Sequence, residues 1–323
     1  MNPERAKYRS YLRARLLKTT RRGFLGAGTA YLLARWGSSH TFAQETQEPG
    51  QSMTLSPPIE RAPTLLSAPV ELAGTWGRMN TRGASQVLER VRHACLDGVR
   101  LVSDRQPTRL RVDEHTSGPP AVWLHPEDGS TMAWIIVDIG ERAWIQLAYQ
   151  FGHELGHVMA NTWLPHAGPK PPCQWLEESM VEAFSLRGLG RLAESWKKDP
   201  PFGGDNGYGD KIAEYRQNIL ERYSKLASDQ GLNDNPVSWF AKHRSEMEVL
   251  GLNPFAQAAS AFIFLPEYEG VPECIEAIGA LNRWPRRTGV PIGEYLSQWE
   301  ASCVELQAST HLPKRLKEIL HIA

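Results

Sequence analysis

The sequence has no long hydrophobic run, few cysteines and no net charge. The apolar stretch at residues 23–36 is shorter than the about 20 residues that a membrane-spanning helix needs. The four cysteines show no zinc-knuckle spacing, and basic and acidic residues are equal in number at 36 each. Beyond the N-terminal segment, the basic residues form no cluster. These absences argue against a nucleic-acid partner and against binding to an anionic membrane surface.

The first 43 residues differ from the rest, because they hold nine basic residues and one acidic residue. The run TRRGFL at residues 20–25 resembles the twin-arginine export signal of bacteria, and an apolar stretch follows it. We therefore expect residues 1–43 to be a signal peptide, cleaved after TFA at residues 41–43. The resemblance implies a periplasmic or secreted protein. An uncleaved N-terminal anchor is the alternative.

Removal of this segment leaves 27 basic and 35 acidic residues, a net charge of −8, and no stable membrane insertion is expected. Residues 44–69 contain five prolines and few large apolar side chains, which predicts a linker. Residues 70–323 are long enough for one large domain, or for two lobes with a cleft between them.

The most informative residues are His153, Glu154 and His157, in the run HELGH. Apolar residues precede them and residues 141–161 contain no proline, which indicates a buried helix. Residues four apart share one helical face, so both imidazoles can bind one ion while Glu154 faces the water. Without partners, burial of these polar groups would cost several kcal/mol, so the helix needs a hydrogen-bond network or a metal.

A second motif, WLEESMVEAF at residues 175–184, carries Glu178 and Glu182 four residues apart. Two histidines and one glutamate are a common ligand set for catalytic zinc, so Glu178 is the predicted third ligand of one zinc ion. The acidic residues could instead form a solvated helix face, and Glu177 could exchange roles with Glu178.

Together, HELGH and WLEESMVEAF resemble the gluzincin metallopeptidases. The resemblance implies that Glu154 is the general base and gives Glu177 no role of its own. It also implies that His153, His157 and Glu178 are the zinc ligands. Glu182 would then be the partner of a ligand histidine without binding the zinc itself. The GxMEN signature of gluzincin aminopeptidases and the Asn-Ala-aromatic strand of thermolysin-like enzymes are missing.

The predicted fold class is α+β, with a gluzincin-like, two-lobed peptidase domain over residues 70–323. The N-lobe, residues 70–162, would hold a small mixed sheet and the active-site helix, and the C-lobe, residues 163–323, would be mainly helical. Strand patterns occur at 99–102, 121–124 and 133–139, and helix patterns at 87–95, 211–227, 256–265, 272–281 and 291–306. In gluzincins the strand before the metal helix borders the cleft, so we expect residues 133–139 to pair with an extended peptide.

The expected function is that of a zinc-dependent hydrolase that cleaves peptide bonds in a peptide or protein substrate, as an endopeptidase. Two alternatives stay open: an inactive metal-binding or scaffold protein on a peptidase fold, and a cell-wall amide hydrolase. Export permits disulfides, and Cys274 and Cys303 could pair or remain buried thiols. A donor to the developing oxyanion is also expected, with these candidates: His166, Tyr208, Tyr215, Tyr223, His243 and Tyr268.

Overall fold

The computed structural model describes most of the chain from residue 64 to residue 322. The gaps lie at residues 75, 77–80, 115–118, 125–130, 140–142, 166, 205–206 and 249–250. The predicted signal peptide and residues 44–63 of the predicted linker lie outside the described residues. The remaining linker residues include a helical turn, α1 (Thr64–Ser67), in which Leu65 is buried and donates its N–H to Gln106 Oε1 at 2.9 Å. This helical turn therefore contacts the rest of the protein through Leu65.

Four strands form a mixed sheet: β1 (Val70–Gly74), β2 (Arg109–Glu114), β3 (Ala121–Val122) and β4 (Met132–Val137). Their order is β1-β2-β4-β3. The first three strands in this order are parallel, and β3 is antiparallel to β4. The small mixed sheet that the sequence predicts is present, together with many helices.

Two details of the strand prediction are wrong. Residues 99–102 form no strand, although Val102 is buried. Helix α2 (Thr81–Leu96) ends just before them, and Gly98, with a φ of +70°, turns the chain. The apolar residues then pack as irregular backbone. Strands β1 and β2 were not predicted. The alternation of charged and apolar residues from Arg109 to Asp113 is the signal that could have shown β2.

β4 cannot form the pairing with an extended peptide that we expected of residues 133–139. It lies between β2 and β3, so both of its sides are paired. Within the described residues, β3 is the outermost strand on that side. The N–H of Trp123 donates to Trp134 O at 2.7 Å and extends the pairing by one residue. An added peptide strand would therefore meet β3.

Two long helices carry the HELGH and WLEESMVEAF motifs: α3 (Trp144–Met159) and α4 (Gln174–Lys198). Nearly every residue of α4 from Gln174 to Leu189 is buried, because other helices surround it. Gly156 allows the close packing of the two helices, since a Cβ at that position would lie 2.8 Å from Val181 Cβ. The two motifs therefore face each other inside the protein.

The described residues after α4 are mainly helical. The helices are α5 (Tyr208–Gln230), α6 (Pro236–Met247), α7 (Pro254–Ala259), α8 (Leu265–Gly270), α9 (Ile292–Glu305) and α10 (His311–Leu320). A π-helical segment, Ser260–Phe264, joins α7 to α8, and Pro272–Ala280 is a 3-10 helix. The sequence patterns missed α6, α10 and all of α8 beyond its first residue. Asn235 before a proline marks the start of α6, because its side chain accepts the N–H of Ser238.

Among the described helices, none has both the length and the hydrophobicity needed to cross a membrane. All four cysteines are buried free thiols. The alternative of a disulfide between Cys274 and Cys303 is therefore not realised.

Candidate metal centre

Helix α3 presents His153 and His157 on the same face. Their ring centroids lie 5.1 Å apart, with an interplanar angle of 69°. Residues four apart lie one above the other on a helix, so the geometry follows from the sequence spacing. Both side chains are buried. The two imidazoles therefore meet in the protein interior.

Glu178 on α4 closes the group. Its Oε2 atom lies 3.3 Å from His153 Nε2 and 3.4 Å from His157 Nε2. Tetrahedral zinc with bonds of about 2.0–2.1 Å places two of its ligand atoms about 3.3–3.4 Å apart. The donor atoms of all three residues lie within 4.8 Å of one another. These three buried side chains could hold a metal ion.

The hydrogen bonding of the donor atoms also fits a cation. His153 Nε2 and Glu178 Oε2 are buried, with no hydrogen-bond partner among the described residues. A buried polar atom without a partner costs about 1–3 kcal/mol. Because the two atoms lie 3.3 Å apart, one cation bound to both would satisfy both at once.

The Nδ1 atom of each histidine contacts a further carboxylate, in addition to that of Glu178. His153 Nδ1 lies 2.7 Å from Glu182 Oε2, and His157 Nδ1 lies 2.8 Å from Glu177 Oε1. A proton on Nδ1 donates to the carboxylate and leaves the Nε2 lone pair free for a ligand. Glu177 is thus more than the neighbour that the resemblance implies, since it contacts a candidate ligand directly.

Glu182 is the centre of a buried hydrogen-bond group. Its Oε1 atom accepts the hydroxyl of Tyr149 at 2.5 Å and that of Tyr223 at 2.8 Å. Burial, and then the charge of Glu182, raises the pKa of Tyr149 well above its ordinary value, so this hydroxyl remains a donor. The sequence analysis names Tyr223 as a candidate oxyanion donor, but its hydroxyl lies behind His153, on the side away from Nε2.

Glu177 has a corresponding group on its own side. Its Oε1 atom accepts the Thr162 hydroxyl at 2.5 Å, and its Oε2 atom accepts Asn282 Nδ2 at 2.8 Å. Asn282 also donates to Ala160 O at 3.0 Å, directly after α3. Both contacts of Asn282 join residues more than a hundred positions apart, so no local sequence pattern could have revealed Asn282.

Arg287 also contacts the residues that directly follow the C-terminal end of α3. Its guanidinium donates to Asn161 O at 3.0 Å and to the Thr162 hydroxyl at 2.9 Å. The segment after the 3-10 helix therefore fixes the residues that follow His157. The orientation of the second histidine depends on the C-terminal part of the chain.

The charges of the site are complementary even without an ion. Burial lowers the pKa of His153, but the carboxylates of Glu178 and Glu182 outweigh it and raise that pKa to about 9. Burial raises the pKa of Glu178, but the two imidazoles outweigh it and lower that pKa to about 2. The pKa of His157 is also raised, because Glu178 and Glu177 outweigh its burial. The carboxylates thus favour positive charge at this point.

Glu154 is buried one residue after the first histidine, and its charge is among those that raise the pKa of His153. Its carboxylate therefore lies near the candidate centre. His166, one of the candidate oxyanion donors, lies outside the described residues.

The four buried side chains His153, Glu154, His157 and Glu178 define a candidate metal centre with HExxH spacing. Compared with known protein families, curated proteins and solved structures, the chain matches none of them. The likeness to gluzincins therefore depends on the two motifs and on the geometry of the residues they contain.

Proposed function

We propose that this protein is a zinc-dependent hydrolase of the gluzincin type that cleaves peptide bonds as an endopeptidase. The observation that carries the proposal is the position of Glu178 Oε2, at 3.3 and 3.4 Å from the Nε2 atoms of His153 and His157. Two imidazoles and one carboxylate are a ligand set of catalytic zinc sites, which leave a position open for water or substrate.

The donor chemistry supports zinc over magnesium or calcium, because the latter two favour oxygen ligands alone. His153, His157 and Glu178 would hold the ion. A zinc ion bound there supplies a Lewis acid that polarises a carbonyl oxygen and lowers the pKa of a water toward neutrality. Glu177 and Glu182 keep both rings in the tautomer that has a free Nε2 atom.

Glu154 is the proposed general base. A carboxylate beside the ion can accept the proton of the attacking water and then pass it to the leaving amine. Glu154 is adjacent to His153 in the sequence, and a purely structural metal site does not require such a residue. The amide bond breaks as the amine takes the proton.

An extended peptide substrate would pair with β3. The backbone N–H of Trp123 donates a hydrogen bond to β4. In an antiparallel pair, successive residues point their N–H and C=O groups alternately toward and away from the partner strand, so those of Val122 point away from β4. Pairing of a peptide with this edge would hold its backbone without regard to side chains. The twin-arginine-like segment supports a site of action in the periplasm or outside the cell.

The test compares the zinc-loaded protein with its Glu154→Gln variant on a quenched-fluorescence peptide library and on peptidoglycan. Peptide cleavage that is removed by chelator, restored by zinc and lost in Glu154→Gln supports the proposal. Release of peptidoglycan fragments without peptide cleavage would instead indicate a cell-wall amide hydrolase. If neither substrate is cleaved although zinc is bound, the chain is a metal-binding scaffold.

A further inference from the structure

A second group of metal-binding side chains lies outside the candidate centre. Glu267 on α8, Cys274 near the start of the 3-10 helix and His311 at the first position of α10 bring their donor atoms within 4.8 Å of one another. In the part of the chain that the structure describes, it is the one other group of three such residues. It shares no residue with the centre around His153.

Two of these side chains are already oriented toward each other. His311 Nε2 lies 2.8 Å from Glu267 Oε2, and the Arg315 guanidinium lies 3.5 Å from Glu267 Oε1. The arginine thus occupies one carboxylate oxygen and leaves the other for the imidazole. The His311 side chain is 43% exposed, so solvent reaches the group from this side.

Cys274 forms the buried side of the group. Its side chain is fully buried, and its sulfur forms no disulfide. A buried cysteine is most often a small apolar side chain, but such a role does not require a carboxylate and an imidazole beside the sulfur. The three donors come from three separate segments, so a shared ion would connect α8, the 3-10 helix and α10.

We propose that Glu267, Cys274 and His311 form a second binding site for a divalent ion of the zinc class. Sulfur, imidazole nitrogen and carboxylate oxygen are the three donor types that zinc accepts in proteins, whereas magnesium and calcium do not select sulfur. On binding, the thiol releases its proton to solvent, and the ion replaces the hydrogen bond between His311 and Glu267. Water completes the coordination from the exposed side.

The site is structural in this proposal. The bound ion attaches α10 to α8 and to the 3-10 helix. Asn282 and Arg287 follow the 3-10 helix in the chain, and their side chains donate hydrogen bonds to the residues at the end of α3. Loss of the ion would therefore loosen the C-terminal helix first. The proposal does not depend on hydrolase activity, since a metal that bound only at the second site would still support it.

Cobalt substitution distinguishes the two sites, because only the second contains sulfur. The full-length protein is stripped with chelator and titrated with Co²⁺ while its absorption is recorded. A thiolate bound to Co²⁺ gives a charge-transfer band in the near ultraviolet, and the His153 centre cannot produce one. We expect this band in the wild type, and also in the double variant His153→Ala/His157→Ala.

The controls separate metal binding from misfolding. Cys274→Ser and His311→Gln should each lose the band, whereas Cys303→Ser, which removes another buried thiol, should keep it. The exposure of His311 makes its variant a safe test if Cys274→Ser fails to fold. A wild type that shows no thiolate band at saturating Co²⁺ would overturn the proposal, as would a band that survives His311→Gln unchanged.

Discussion

His157 Nδ1 lies 2.8 Å from Glu177 Oε1, and the other oxygen of that carboxylate accepts Asn282 Nδ2 at 2.8 Å. Through this carboxylate, a residue near the C-terminus fixes the orientation of a histidine in the HELGH motif. Glu182 has the same role toward His153. Helix α4 therefore contributes a central carboxylate and two outer carboxylates to the candidate centre.

Replacement of either outer carboxylate should weaken metal binding without removing a ligand. For Glu177→Gln and Glu182→Gln we expect about a 10–100-fold loss of zinc affinity, because the amide orients the imidazole but no longer offers it a negative charge. Competition with a chromophoric chelator measures this loss. Glu194→Gln, at an exposed position on the same helix, is the control and should bind zinc like the wild type. Unchanged affinity in Glu177→Gln would remove its assigned role.

The two tyrosines behind Glu182 should contribute to stability. Tyr149→Phe and Tyr223→Phe each remove a donor to the buried carboxylate, and we expect each to lower the free energy of unfolding by about 1–3 kcal/mol. Chemical denaturation of the chelated and the zinc-loaded protein measures the change. Tyr215→Phe is the control, because the Tyr215 ring packs against Tyr149 at 6.0 Å. Equal effects for all three variants would indicate simple packing rather than support of Glu182.

Gly156 should be essential for the approach of α3 to α4. In Gly156→Ala the new methyl group would lie 2.8 Å from Val181 Cβ, so the helices must separate. We expect a loss of about 1–3 kcal/mol in stability and weaker zinc binding. The double variant Gly156→Ala/Val181→Gly removes the contacting Cβ and should recover part of both losses. If the double variant is no better than the sum of its single variants, steric contact is not the cause.

Metal binding should release protons. In the metal-free site the carboxylates raise the pKa of His153 to about 9 and also raise that of His157, so the site without an ion favours protonated rings. We expect more protons released per ion at pH 7 than the about half a proton that two histidines of ordinary pKa would release. Calorimetry in buffers of different ionisation enthalpy counts them. The Cys274→Ser variant restricts the count to the His153 centre.

The same pKa shift predicts how stability without metal depends on pH. The folded-state pKa of His153 is above its ordinary value of 6.5, so its contribution is complete below that value. This contribution is lost as the pH rises through about 9. A metal-free protein that becomes more stable over this interval would contradict the charge arrangement described for the site.

The sequence predicts the centre of the site better than its surroundings. The spacing of His153 and His157 requires only a helix, so local periodicity reveals it. Glu178 follows from the need of zinc for a third ligand, together with a second acidic helix. Asn282 and Arg287 could not be predicted, because their contacts depend on how distant segments pack. The missed strand β2 has a readable alternation, whereas the burial of Leu101 and Val102 without strand pairing depends on tertiary structure.

The central claim is that His153, His157 and Glu178 bind one zinc ion while Glu177 contacts His157 at Nδ1 and orients its ring. Crystals of the zinc-loaded protein, measured on both sides of the zinc absorption edge, test this claim directly. We expect an anomalous peak about 2.0–2.2 Å from His153 Nε2, His157 Nε2 and a Glu178 carboxylate oxygen. A peak bound to Glu177 in place of Glu178, or no peak between the two histidines in fully loaded protein, would contradict it.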